Sequence, residues 1–402
     1  MPLRKPRPIH PLPAWRARPS PNAVHSWRKR IALAFALPAC APDPQQQALA
    51  AALRALKSAN EKVLGAVRDQ LVSGRLGPEA AAEALAAEAE LCIARALSLS
   101  LDSTKRRYGP APGRCAVIAL GKLGGRELSF GSDLDLILVF ERSSPAYCPQ
   151  SAAWFEELAR GLIGALAHPP GTQRLYEVDM RLRPHGADGP LAVELSAFAA
   201  YYQDTCWTWE LQALTRARVV AGDGDLGSRT LFVIAKAIDH GLGLSDAQRL
   251  ADVAKMRRLL DLERPAASPW DVKRAAGGLV DIEFIAQGLQ LIAGGGHACL
   301  PQASTRQALE TLAACGLLAP HDAQALIQAW SLQFLILQYQ RALGVNAAAL
   351  VDQPRRRLAA LLRSANAKSL LALDHGRATA QGVTRKLFNK LIVRASVLRL
   401  AA

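Results

Sequence analysis

Residues 121–140, with the sequence GKLGGRELSFGSDLDLILVF, decide the fold. The stretch begins with a glycine-rich turn and continues into an apolar segment that carries two aspartates, Asp133 and Asp135. The apolar run over 131–140 predicts a strand, because a short continuous apolar segment is typical of strands buried inside a sheet. A second apolar run, Cys115–Leu120, precedes the turn. The sequence therefore predicts two strands connected by a glycine-rich turn.

A third predicted strand, over 175–183, contains another aspartate, Asp179. Alternate side chains of a strand point to the same face, so Asp133 and Asp135 share one face, and pairing with the third strand would bring Asp179 close to them. Three neighbouring carboxylates repel one another unless a cation neutralises them. Oxygen ligands of this kind suit Mg²⁺ or Mn²⁺, which also coordinate substrate phosphates. The pattern predicts a metal site that acts on a phosphate-bearing substrate.

An isolated D-x-D on a strand is more often a solvated strand edge than a metal site. Here the glycine-rich turn lies about ten residues upstream, and backbone N–H groups of such turns bind phosphates. Lys122 within the turn would add a point charge, and Ser132 directly precedes the first aspartate. This combination favours a nucleotide-phosphate site over the solvated edge.

The rest of the chain is predicted to be mainly helical and to divide into four parts. These are a basic, proline-rich head over 1–44, a helical hairpin over 45–108, a mixed α+β core over 109–240 and a helical bundle over 241–402. Apolar residues recur at helical spacing in the following segments: 150–168, Trp207–Leu214, Ala251–Leu262, Leu279–Ile292, Gln302–Leu318, Ala323–Leu343 and Arg355–Leu373.

Composition restricts the class of protein further. The 402 residues carry a formal net charge of +15, and residues 1–42 hold eight basic side chains and no acidic ones. Seven of the first 21 residues are proline, so the head is predicted to be disordered. No run of about 18 apolar residues is present, which argues against a membrane-spanning helix. Seven cysteines without a CxxC pair suit a reducing compartment, so we expect a cytoplasmic location.

Residues 119–140 resemble the nucleotidyltransferase signature of the bacterial glutamine synthetase adenylyltransferases. Three further blocks resemble the same family in the same order: YEVDMRLRPHGADGPLA (176–192), WTWELQALTRARVVAGD (207–223) and DVKRAAGGLVDIEFIAQGLQL (271–291). The resemblance implies a mixed-sheet core like that of DNA polymerase β, followed by a helical bundle and preceded by a helical segment. It is closest to the adenylylating, C-terminal half of these bifunctional proteins, which are more than twice as long as this chain.

The resemblance also implies roles for individual residues. Asp133, Asp135 and Asp179 would be catalytic and would hold two Mg²⁺ or Mn²⁺ ions. Arg181 and Arg183 would either bind phosphate or balance the carboxylates, and either Gly121-Lys122 or Gly124-Gly125 would be the glycine pair that precedes the aspartates. The full set expected to contact the nucleotide and its phosphates is Gly121, Lys122, Gly124, Gly125, Ser132, Arg181, Arg183, Arg216 and Arg218. For Lys273, Asp281 and Glu283, closure of the cleft and helix packing both stay open.

The implied reaction is transfer of AMP from ATP to a tyrosine hydroxyl of glutamine synthetase, with pyrophosphate as the leaving group. Glutamine synthetase is the implied protein substrate, and a PII-type signalling protein is a further candidate partner; no membrane partner is expected. The alternatives are AMP or UMP transfer to another protein, such as a small signalling protein, nucleic-acid binding driven by the basic charge, and an inactive remnant of the family. The sequence S-D-x-D occurs once, at 132–135, so we expect AMP addition without phosphate-dependent AMP removal.

Overall fold

The computed structural model describes residues 44–143, 149–167, 174–293 and 301–400. The predicted disordered head lies, apart from its last residue, outside this part of the chain. Two long helices come first, α1 (Pro44–Val72) and α2 (Pro78–Tyr108). They are separated where Gly74 adopts a left-handed conformation (φ 76°) and where Pro78 occupies the first turn of α2, a position that needs no backbone N–H. The helical hairpin expected from the Ala- and Leu-rich sequence is present.

A five-stranded mixed sheet follows the two helices. Its strands are β1 (Gly113–Ala119), β2 (Leu134–Arg142), β3 (Val178–Asp179), β4 (Ala192–Glu194) and β5 (Arg218–Gly222). β1 lies between β2 and β5 and is antiparallel to both. β3 and β4 both run parallel to β2, β3 beside its first residues and β4 beside its last. The sheet therefore places the start of β2 directly beside β3.

In the described chain, five helices lie between or directly after the strands in sequence. They are α3 (Gly121–Gly124), α4 (Pro149–Ala167), α5 (Leu195–Asp204), α6 (Thr208–Leu214) and α7 (Gly224–His240). α2 packs against α4 and β5, while α7 packs against β1 and β5. β1 and β2 are buried almost throughout, because apolar side chains of both strands meet this helical cover. The continuous apolar runs of the two strands are explained by this burial on both faces.

The described part of the C-terminal region consists of helices joined by turns and loops. It contains α8 (Asp246–Glu263), α9 (Leu279–Ala293), α10 (Thr305–Ala314), α11 (Pro320–Leu343), α12 (Arg355–Ser364), α13 (Leu370–Phe388), a π-helical segment (Asn389–Arg394) and α14 (Ala395–Leu400). Asp281 on α9 is fully buried and forms ion pairs with Arg257 on α8 and with Arg385 on α13. It also accepts the backbone N–H of Gly277 at 2.7 Å. Asp281 thus serves helix packing rather than closure of a cleft.

The predicted α+β class and the two central strands are confirmed, but the third strand was predicted too long. Only Val178 and Asp179 pair as a strand. The chain then turns, because the buried Arg183 guanidinium donates hydrogen bonds to the carbonyls of Met180, Gly189 and Pro190 at 2.7–3.1 Å. These bonds gather the segment after Asp179 into a loop instead of an extended strand.

The helix predicted over Arg355–Leu373 was also wrong, since two helices occupy this region and its continuation. Asn366, at φ 50°, ends the first, and the Ser369 hydroxyl caps the second by accepting the N–H of Ala372 at 3.1 Å. Helix α7 was not predicted, although Asp223 caps it in the same way.

The division into four parts stays a prediction. Among the described helices, none is both long and apolar enough to cross a membrane.

Candidate functional site

Three carboxylates meet where β2 begins. Asp133 directly precedes the strand, and Asp135 is its second residue. β3 pairs with β2 in parallel, so that Asp179 is the register partner of Asp135. Carboxylate oxygens of all three residues lie within 4.8 Å of one another, with Asp133 exposed and the other two half-buried. The structure thus brings together the three aspartates that the sequence singled out.

Arg181 lies against this cluster. Its Nε and Nη2 donate to the two oxygens of Asp179 at 2.9 and 2.5 Å, and its backbone N–H also donates to Asp179. This hydrogen bonding raises the pKa of the guanidinium, with the charges of Asp135 and Asp133 adding to the effect. Three carboxylates and one guanidinium leave a formal charge of −2. This excess and the all-oxygen donor set fit a divalent cation of the Mg²⁺ type.

The glycine-rich turn runs directly beside the carboxylates. It forms the one-turn helix α3, which Gly121 enters in a left-handed conformation (φ 55°). A Cβ atom on Gly121 would lie 2.0 Å from Oδ2 of Asp135. On Gly124 and Gly125, a Cβ atom would lie 1.9 and 2.0 Å from atoms of Arg216. The three glycines are needed because the backbone is in close contact with Asp135 on one side and with Arg216 on the other.

Arg216 and Arg218 hold this turn and do not face an open site. Arg216 is buried, forms an ion pair with Glu127 at 2.5 Å and donates to the carbonyl of Gly121 at 2.8 Å. Arg218 forms an ion pair with Glu90 at 2.6 Å and donates to the carbonyls of Leu123 and Gly124 at 2.8 and 3.0 Å. The prediction that they bind phosphate is not supported, since their donors are used within the protein.

Arg183 is likewise not placed for phosphate binding. It is buried, and all of its hydrogen bonds go to backbone carbonyls of the loop that follows Asp179. Burial lowers the pKa of this guanidinium. Arg183 therefore shapes the loop that carries Asp179 and Arg181.

Lys122 and Ser132 belong to a small hydrogen-bonded group beside Asp133. The Lys122 Nζ donates to the Ser129 hydroxyl at 3.4 Å, and the hydroxyls of Ser129 and Ser132 are 3.0 Å apart. The pKa of Lys122 is lowered to about 7, chiefly by burial and then by the positive charge of Lys273, while Glu283 acts in the opposite direction. Lys273 and Glu283 of the C-terminal region therefore face the turn.

Sequence reasoning missed the contacts that join the helical region to the loop before Ser132. Glu127 accepts the N–H and the hydroxyl of Thr305, on α10, at 2.6 and 3.0 Å. Gln338, on α11, donates to the carbonyl of Leu128 at 2.7 Å. No local pattern marks these partners, which lie 178 and 210 residues further along the chain.

Glu210, in the sequence block over 207–223, caps a helix. Its carboxylate accepts the hydroxyl of Tyr201 at 2.9 Å and the backbone N–H of Trp207 at 2.8 Å, which caps α6. Burial raises the pKa of Glu210 to about 7. The residue stabilises the start of α6 and lies outside the candidate site.

A mixed sheet that presents three clustered carboxylates beside a glycine-rich turn defines a nucleotidyltransferase fold. Residues 4–232 match the family model of glutamate–ammonia ligase adenylyltransferases, so the chain belongs to that family. Residues 243–391 match a second model, that of the GlnD PII-uridylyltransferases. The class inferred from the sheet and the family found by comparison agree with each other.

Curated relatives carry the name bifunctional glutamine synthetase adenylyltransferase/adenylyl-removing enzyme. The protein from Xanthobacter autotrophicus is 37% identical over 338 residues, which cover 81% of this chain and 34% of the relative. The protein from Agrobacterium fabrum is 40% identical over 268 residues, or 64% of this chain and 26% of the relative. That from Caulobacter vibrioides is 35% identical over 364 residues, or 88% and 36%. The chain spans about a third of the length of these relatives.

Proposed function

We propose that this chain transfers AMP from ATP to a tyrosine hydroxyl of glutamine synthetase and releases pyrophosphate. The observation that carries the proposal is the convergence of Asp133, Asp135 and Asp179 beside the glycine-rich turn, in a chain of the adenylyltransferase family. Clustered carboxylates next to a phosphate-binding turn are suited to holding a nucleotide triphosphate and its cations.

The proposed reaction is a nucleophilic substitution at the α-phosphorus of ATP. The tyrosine oxygen forms a bond to the α-phosphorus and loses its proton to solvent. The bond from the α-phosphorus to the oxygen that bridges to the β-phosphate breaks, and its electron pair leaves with pyrophosphate. The protein's part is to position the two reactants and to neutralise the charge on the leaving group.

The three aspartates would hold Mg²⁺, or Mn²⁺ in its place. The bound ion supplies Lewis acidity toward phosphate oxygens. Ser132 and Lys122 lie next to Asp133 and would donate hydrogen bonds to the phosphates, and the glycines would allow the phosphate chain to approach the backbone of the turn. Arg181 would keep Asp179 oriented, because it binds both oxygens of that carboxylate.

The test is to incubate the purified chain with labelled ATP, Mg²⁺ and glutamine synthetase and to map the label by mass spectrometry. Labelling of a tyrosine by the wild-type chain, but not by Asp133→Asn, is the expected result. The proposal would fail if a well-folded chain left glutamine synthetase unlabelled under these conditions.

A second candidate function is transfer of UMP to a PII-type signalling protein. It is favoured by the match of residues 243–391 to the PII-uridylyltransferase model. It ranks second because the residues of the carboxylate cluster lie within the part that matches the adenylyltransferase model. Replacing ATP by UTP, and glutamine synthetase by a PII-type protein, gives the two additional arms of the same assay. A PII-type protein that alters AMP transfer without being labelled would instead be a regulatory partner.

We also propose that the chain works in one direction only. The described residues contain one cluster of carboxylates that could hold a metal ion. A single cluster is poorly suited to two opposed reactions under separate control. The check is to supply AMP-modified glutamine synthetase with orthophosphate and Mg²⁺ and to measure ADP. Sustained ADP release that is absent in Asp133→Asn would show that one site runs both reactions.

The protein would act in the cytoplasm, where glutamine synthetase is its substrate.

A further inference from the structure

A groove runs away from the candidate site on the side of Gly131. It consists of two adjoining cavities of about 370 and 420 Å³, both of which touch Arg68, Phe130 and Gly131. The first cavity reaches Ser129 and Ser132, and the second is bordered by Gln340, Arg341 and Asn346 of the segment that ends α11. Ser132, at the inner end of the groove, directly precedes Asp133 in the sequence.

The charge of this groove is positive. Arg68, on α1, and Arg341, in the last turn of α11, form no ion pair with any carboxylate in the described part of the chain. The Arg68 guanidinium lies 5.2 Å from the centre of the Phe130 ring. The acidic residue that lines the groove, Glu177, is already paired with Arg174. Two cations that border one cavity without a counter-ion attract an anionic ligand.

A second observation places Arg341 on the same side as the turn. Its positive charge contributes to lowering the pKa of Lys122, together with that of Lys273. Arg341 and Lys273 thus lie close enough to Lys122 to act on its charge, while the carboxylates of Glu283 and Asp133 act in the opposite direction. Guanidinium groups bind phosphate oxygens in bidentate geometry, so an arginine that borders the groove is suited to an anionic ligand.

A nucleotide whose α-phosphate lies at the three carboxylates has two ends, and the groove has room for one of them. The nucleoside end is uncharged, whereas the polyphosphate end is strongly anionic. Arg68 and Arg341, which pair with no carboxylate among the described residues, favour the polyphosphate end. Charge also accumulates on the leaving pyrophosphate as the bond to the α-phosphorus breaks, so cations at this position stabilise the transition state as well as the bound nucleotide.

We propose that Arg68 and Arg341 bind the β- and γ-phosphates of the nucleotide and hold pyrophosphate as it leaves. This inference rests on the proposed nucleotidyl transfer and adds two residues from outside the motifs that define the family resemblance. The phosphate subsite is then completed by α1 and α11, which pack against each other although they are far apart in the sequence. The arginines expected from sequence to serve this purpose are instead used to hold the glycine-rich turn.

The experiment measures binding of Mg²⁺-pyrophosphate, Mg²⁺-ATP and AMP to the whole chain by calorimetry, without an acceptor protein. Variants Arg68→Gln and Arg341→Gln are compared with Arg54→Gln, which removes the same charge from an exposed position of α1 outside the groove. Each groove variant is expected to weaken pyrophosphate and ATP binding about tenfold or more, because a charge-assisted hydrogen bond is lost. AMP binding and the Arg54→Gln variant should be unchanged, and Arg341→Lys should recover part of the affinity.

Wild-type affinity for pyrophosphate and ATP in both groove variants would overturn the inference. An equal loss for AMP would also overturn it, since it would place the nucleoside end in the groove. If the variants bind ATP normally and still label glutamine synthetase, the inference fails while the proposed function stands. If pyrophosphate binding depends on both arginines but glutamine synthetase is never labelled, the groove is supported and the proposed function fails.

Discussion

The arginines around the candidate site are used in two opposite ways. On the side of β5, Arg216 and Arg218 are paired with carboxylates and donate to the carbonyls of the turn. On the side of the groove, Arg68 and Arg341 have no carboxylate partner in the described chain and border a cavity. An arginine close to a site is therefore informative only when its donors are known to be free.

The difference has an energetic basis. A buried guanidinium is tolerated only when its charge and its N–H groups are satisfied by the protein. Arg216 meets this condition through Glu127, Thr305 and Gly121. Arg68 and Arg341 are exposed, so their guanidinium groups do not need a partner within the protein. The first side should respond to substitution with a loss of stability, and the second with a loss of ligand affinity.

Substitution of the three clustered carboxylates should give the largest effect, a loss of AMP transfer. Asp133→Asn or Asp135→Asn should reduce AMP transfer about a thousandfold or more, because losing a metal ligand removes several kcal/mol of transition-state stabilisation. Asp179→Asn should be nearly as severe. Initial rates at saturating Mg²⁺ measure the effect, and thermal unfolding checks the fold.

Asp188→Asn is the matched control for these variants, since Asp188 is an exposed aspartate in the loop that follows Asp179. It should transfer AMP at the wild-type rate. A rate within about threefold of wild type in any of the three site variants would remove that aspartate from the site.

Arg216→Met tests the buried side. It leaves the Glu127 carboxylate buried without its cation, which typically costs about 3–5 kcal/mol. We expect a correspondingly lower free energy of unfolding in urea. Glu127→Gln combined with Arg216→Met should lose less than the sum of the single variants, because the two side chains act as a pair.

Arg160→Gln is the control for this series, as it breaks an exposed ion pair with Glu157 and should change stability by less than about 1 kcal/mol. Strict additivity of the Glu127 and Arg216 variants would show that the pair is not coupled. The distinction between the two sides would then lose its energetic basis.

The sequence was sufficient for the part of the site that depends on local periodicity. Asp133 and Asp135 share a face because strand side chains alternate, and the buried apolar runs located both central strands. Asp179 was placed correctly although its strand has only two residues, since pairing at one register position was enough. Local pattern thus predicts which carboxylates converge.

The partners of the arginines could not be predicted in the same way. Arg216 and Arg218 reach carbonyls 94–95 residues earlier in the chain, and Arg183 folds back on a loop whose shape it creates. Arg68 and Arg341 come together only when α1 and α11 pack near Gly131. These roles depend on tertiary packing, which has no signal in residue spacing.

Substitution of Lys122 should give a smaller effect, which appears as a change in the pH dependence of the free energy of unfolding. Its pKa falls from 10.5 to about 7 in the folded chain. Between these values the unfolded chain binds more protons at Lys122 than the folded chain does, so the free energy of unfolding should rise with pH in this window. Lys122→Met removes this contribution. Urea unfolding at pH 7, 8 and 9 should show that wild type gains stability relative to the variant.

Burial is the main cause of the lowered pKa of Lys122, and the charges of its neighbours modify it. Lys273 and Arg341 lower its pKa, while Glu283 and Asp133 raise it. If the difference in free energy of unfolding between wild type and Lys122→Met does not change with pH, Lys122 is hydrated in the folded chain. Its pKa would then not contribute to stability.

The smallest effect is expected at Gln338, which connects α11 to the loop before Ser132. Its Nε2 donates to the Leu128 carbonyl at 2.7 Å, while its buried Oε1 has no hydrogen-bond partner within the described chain. Gln338→Leu removes one unsatisfied acceptor but also leaves the Leu128 carbonyl without this donor. The two effects oppose each other, so stability should change by about 1 kcal/mol or less. Gln333→Leu is the matched control, because Gln333 donates to the Gly277 carbonyl at 3.1 Å and has an equally unpartnered Oε1. Only Gln338→Leu should weaken ATP binding, by about threefold, since it alone releases the loop that positions Ser132. Equal ATP affinity in the two variants would show that α11 contributes Arg341 to the groove without positioning the loop.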